Sequence, residues 1–187
     1  MNLDYIFNWK LLKGSHEFPG PDGGTCINEA AIIAAGFEYK KVQSANDCPP
    51  CFSRPLSAYL ININDRMPDN ERQKLMRFVM RLSGSADTPD TEKQRAELIT
   101  LRTVQRILPI SLRASGLHAN ADECEKAVTV ESVARAASAA AGSSWVWCTS
   151  WASWVWKTAC DKSVASATSA ASAAALEAAI AKAEGKP

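Results

Sequence analysis

The chain reads as mainly α: a compact multi-helix body followed by a long Ala/Ser/Trp-rich helical C-terminal region. Three observations predict this. Apolar residues recur at three- and four-residue spacing through the first two thirds of the chain, the period of a helix with one buried face. Glycine and proline fall between those runs, with Pro109 the exception, and so act as punctuation. From Thr129 onward alanine, the strongest helix former, dominates. The 187 residues, 47% hydrophobic and 22% charged, suffice for one ordinary domain with a real core and an appendage.

Residues 1–13 hold Tyr5, Ile6, Phe7, Trp9, Leu11 and Leu12, whose alternation is imperfect, so a strand and an irregular arm both stay open. Residues 14–24 carry four glycines and two prolines and must be a loop. Thr25 is the expected N-cap of a helix through Ala30, Ile32 and Ala34, with Gly36 as its stop. Leu56, Tyr59, Leu60 and Ile63 mark the next helix, and Met67-Pro68-Asp69 breaks it. Leu75, Phe78, Val79 and Leu82 mark a third, ended by Gly84. Thr88 caps a fourth with Pro89 at its tolerated first position. Leu101, Val104, Leu108 and Leu112 keep one apolar face, Pro109 should kink or divide the helix, and Gly116 closes it. The expected body is therefore residues 1–128, four or five short helices, and the extension is 129–187.

Net charge is +1, from 21 basic and 20 acidic residues, so no global field draws the chain to nucleic acid or membrane. The first residues lack the basic start and apolar run of a signal peptide. A cytoplasmic protein with its six cysteines reduced is the expectation.

Five of the six tryptophans lie within residues 144–156, and Ser-Trp-Val-Trp occurs there twice. On a helix Trp147, Trp151 and Trp154 share one face, while Trp145 and Trp156 fall on the other. A helix apolar on both sides must be covered on more than one side. Residues 136–156 are uncharged and long enough to span a bilayer. They hold no leucine, isoleucine or phenylalanine, however, and their tryptophans cluster at one end, which argues against a membrane. Intramolecular core and interface remain. Tryptophan is enriched at binding hot spots, and alanine and serine faces let helices approach closely.

Arg95, Arg102, Arg106 and Arg113 follow at +7, +4 and +7, the spacing of one helix face. A solvated charged face is the plain explanation, and a basic ridge for phosphates or an acidic protein is the functional one. Nucleic acid is thus a secondary partner class, resting on this stripe alone.

Chemistry has few candidates. Cys26 stands at a predicted helix start, where the dipole favours thiolate, and His16 is upstream as a base. Cys48-Pro49-Pro50-Cys51 has the spacing of redox motifs and of half zinc sites. With His16 and Cys26 it completes a three-Cys, one-His ligand set, so zinc is the one cofactor alternative. Each of these thiols is equally explained as a small buried side chain.

Two stretches carry a resemblance: residues 13–30, Lys-Gly-Ser-His-Glu-Phe-Pro-Gly-Pro-Asp-Gly-Gly-Thr-Cys-Ile-Asn-Glu-Ala, and residues 47–53, Asp-Cys-Pro-Pro-Cys-Phe-Ser. They are similar to segments of an uncharacterised bacterial protein family whose members end in alanine-rich helical tails. The resemblance covers residues 13–115, implies a real domain with a repetitive extension, suggests phage carriage, and brings no function. The tail here is punctuated by tryptophan instead of the tyrosine associated with that family. The expected function is a non-catalytic interaction or self-assembly protein whose tryptophan helix docks on itself or on a larger complex. A phage-encoded inhibitor of a host complex would be one instance. The alternatives are a cysteine-dependent enzyme using Cys26 and His16 or the Cys48/Cys51 pair, and a zinc-stabilised binding module.

Overall fold

A computed structural model of the protein describes residues 9–17, 24–114, 116–129, 131–132 and 135–136. These are mostly helical, as the sequence predicts. They fall into two compact units divided between Ala96 and Glu97. The tryptophan cluster and nearly all of the expected extension lie outside the described residues.

The first unit opens with a two-residue strand, β1 (Lys10–Leu11), which pairs in parallel with β2 (Gly24–Thr25), Leu11 opposite Thr25. Within the amino-terminal stretch left open by the sequence, Lys10–Leu11 are strand, while Tyr5, Ile6 and Phe7 lie outside the described residues. Gln73 closes the free edge of β1 by mimicking a strand: its Oε1 accepts from Leu11 N at 3.0 Å and its Nε2 donates to Leu11 O at 2.9 Å. A Cβ at Gly24 would lie 2.0 Å from Leu12 Cδ1, so any larger residue here would force that side chain aside.

Helix α1 (Ile27–Ala34) follows β2 directly. Its N-cap is Cys26, one residue past the expected Thr25, because Thr25 is held in the strand ladder. Its end is as expected. Gly36 takes φ +84°, Gly36 N donates to Ile33 O and Phe37 N to Ile32 O, the paired bonds that satisfy a helix's last carbonyls.

Helix α2 (Arg54–Arg66) starts from the N-cap Ser53, with Pro55 in its first turn. It stops at Met67 before Pro68. Buried Arg72 takes up carbonyls at that end, donating to Asn64 O at 2.6 Å and Met67 O at 2.7 Å. The expected third helix is divided: α3 (Asp69–Arg72), a 3-10 stretch Gln73–Phe78, and α4 (Val79–Leu82). The tighter 3-10 winding still sends Leu75 and Phe78 inward, and both are fully buried with Val79 and Leu82. Together with Leu11, Ile27, Ala30, Leu56 and Leu60 they make this unit's core. Each such leucine or phenylalanine removed from water contributes roughly 1.5–3 kcal/mol.

Helix α5 (Pro89–Arg102) begins at Thr88, whose Oγ1 accepts from Thr91 N at 3.3 Å, and it crosses the unit boundary in sequence. A π-helical stretch, Thr103–Ile107, joins it to α6 (Leu108–Ala114). The kink or division expected at Pro109 takes the form of a change of winding just upstream, with no break in the helix. Proline has no N–H to give Gln105 O, and its ring would crowd that carbonyl in an α-turn, which the wider π turn relieves. After Gly116 (φ +76°), α7 (His118–Lys126) folds back on α6. Val104, Ile107, Leu108, Leu112, Ala121, Cys124, Ala127 and Ala136 form the second unit's core, with Leu101 and Leu117 against it.

Among the described residues no helix is long and apolar enough to cross a membrane.

Candidate functional site

The densest polar cluster in the first unit surrounds Glu29, which is fully buried on α1. Its Oε2 accepts from Cys26 N at 2.9 Å and from Thr25 Oγ1 at 3.2 Å. Its Oε1 accepts from His16 N and Val42 N, both at 3.1 Å. In return Cys26 Sγ accepts from Glu29 N at 3.5 Å, so Cys26 and Glu29 form a reciprocal capping box with sulfur in place of a hydroxyl. Tyr39 OH donates to His16 O and closes the cluster over the loop.

This places Cys26, His16 and Glu29 together, but in roles unlike those of a nucleophile and its base. Cys26 is 3% exposed, and burial first, then the Glu29 charge, push its thiol far above the ordinary range. The helix-start effect expected to favour thiolate is outweighed by these two. Burial, followed by the charges of Glu29 and Cys26, also raises the Tyr39 phenol. His16 enters through its backbone, and its buried Nε2 has no hydrogen-bond partner among the described residues.

Cys48 and Cys51 are both free thiols. Cys48 is buried against Ser57 of α2, and burial raises its pKa over the smaller lowering effects of the Ser57 hydroxyl and then of Arg54. Arg54 Nη1 donates to Ala45 O at 2.6 Å and Cys48 O at 2.7 Å, and Ala86 N donates to Cys51 O at 2.9 Å, so both ends of the Pro-Pro turn are fastened. The His16, Cys26, Cys48 and Cys51 ligand set is not assembled. Among the described residues no three His, Cys, Asp or Glu side chains are arranged to hold a metal ion. Cys26 sulfur serves as a helix cap and Cys48 faces α2.

Three arginines of the stripe, Arg95, Arg102 and Arg113, are also engaged within the chain. Arg95 is 2% exposed, which removes it from any surface ridge; it pairs with Glu92 and Asp87 and donates to Ser85 O. In the second unit Arg102 donates to Gln105 Oε1 at 3.3 Å. Arg113 holds Glu125 with two nitrogens, at 2.6 and 2.9 Å, and Asp122 at 2.7 Å. That contact, reinforced by the Arg113 and Arg106 charges, lowers the Glu125 carboxyl. Arg106 itself is exposed. The acidic partners on α7 were not weighed against the stripe in the sequence, because Asp122 and Glu125 meet it only once Gly116 has turned the chain back.

Glu29 was also missed, although Cys26-x-x-Glu29 has the capping-box spacing; the cysteine in the hydroxyl position disguised it. Trp145, Trp147, Trp151, Trp154 and Trp156, the expected docking residues, lie outside the described residues. Compared with protein-family models, curated proteins and solved structures, the chain matches none.

Proposed function

We propose that the chain is a cytoplasmic, non-catalytic interaction protein that self-assembles through its tryptophan-rich segment, residues 144–156. The observation that carries this reading is five tryptophans within thirteen residues, in a stretch from 129 to 187 with one leucine, one isoleucine and no phenylalanine or tyrosine. So much aromatic area, with so little bulk of its own to pack on, calls for a surface beyond the segment. The body supports it indirectly: the Cys26 and Cys48 thiols are held protonated by burial, and Arg95 and Arg113 are engaged by carboxylates of the same chain. The candidate nucleophile Cys26 and the ridge residues Arg95 and Arg113 are thus taken up in the body's own structure, which favours docking as the role.

Light scattering on a sizing column tests it, with wild type against Trp151→Ala/Trp154→Ala. The expected result is a wild-type oligomer that the double variant converts to a monomer of unchanged helical circular dichroism. A wild-type mass near 20.2 kDa would overturn self-assembly. The tryptophans would then be core or a face for another protein, to be sought by affinity capture with the same variant as control.

A further inference from the structure

No further inference is drawn: the strongest candidate, the buried cluster of His16, Cys26, Glu29 and Tyr39 at the start of α1, belongs to the site already described, its contacts close on the chain's own backbone, and the open His16 Nε2 by itself specifies no ligand.

Discussion

Glu29 accepts four hydrogen bonds that tie the loop before β2, the helix start and the segment at Val42 to one carboxylate. Replacing it by glutamine keeps the shape but turns an amide donor toward N–H donors. Glu29→Gln is expected to cost about 1–3 kcal/mol, the usual penalty for a buried polar group left unmatched, read as a lower urea midpoint. An unchanged midpoint would remove Glu29 as the fastening of this loop. The buried thiols make a second prediction. Unfolded cysteine ionises near pH 8.5, roughly the free value, whereas native Cys124 is pushed up to about 11 by burial and then by Glu123 and Glu125. Cys26 is raised further still. Their contribution is fully present below the unfolded pKa and is lost as pH climbs toward the folded one, because the unfolded chain then binds fewer protons. Stability should fall from about pH 8.5 upward, by at most about 1.4 kcal/mol per pH unit for each thiol. Urea midpoints between pH 7.5 and 10 check this, and Cys124→Ala should flatten the slope.

Ser53 shows how single caps hold the helices. Its Oγ accepts from Leu56 N at the start of α2 and donates to Glu92 Oε2 at 2.6 Å, joining α2 to the first turn of α5. Ser53→Ala should cost about 1–2 kcal/mol, at the upper end for a cap because Glu92 also loses a donor. Hydrogen exchange should speed up in the first turn of α2; equal protection in the variant would deny Ser53 that role. Most of this level was legible in the sequence. Gly36, Thr88 and Gly116 act where local chemistry placed them, since caps and stops depend on neighbours in the chain. The 3-10 winding of Gln73–Phe78 was not, because the apolar spacing of Leu75, Phe78, Val79 and Leu82 suits either helix. Gln73 closing β1 lies 62 residues from its partner Leu11, a distance at which no local pattern speaks.

At the scale of the whole molecule, the described residues include Arg72, Arg95 and Arg113, each matched by nearby acids. Arg113→Ala should therefore loosen α7 from α6 by an amount that fades at high salt, because the Asp122 and Glu125 contacts are surface pairs. For the same reason RNA and DNA should bind weakly and without sequence preference at physiological salt. Tight binding with a steep salt slope would return the arginines to the front. The cluster around Glu29 needed three segments brought together before its meaning appeared.

The π turn at Thr103–Ile107 has a bearing on how the gene can change. A π turn houses one residue more than an α turn over the same stretch, so it acts as an insertion held in place by Pro109. Deleting one residue there would restore an ordinary winding and leave Leu108 and Leu112 facing as they do now. Both would stay in the core they share with Ala121 and Cys124. Single-residue deletions should thus be tolerated better within 103–107 than in the α turns on either side, where each would shift the following residues by about 100°, and a deletion scan of this helix would show it.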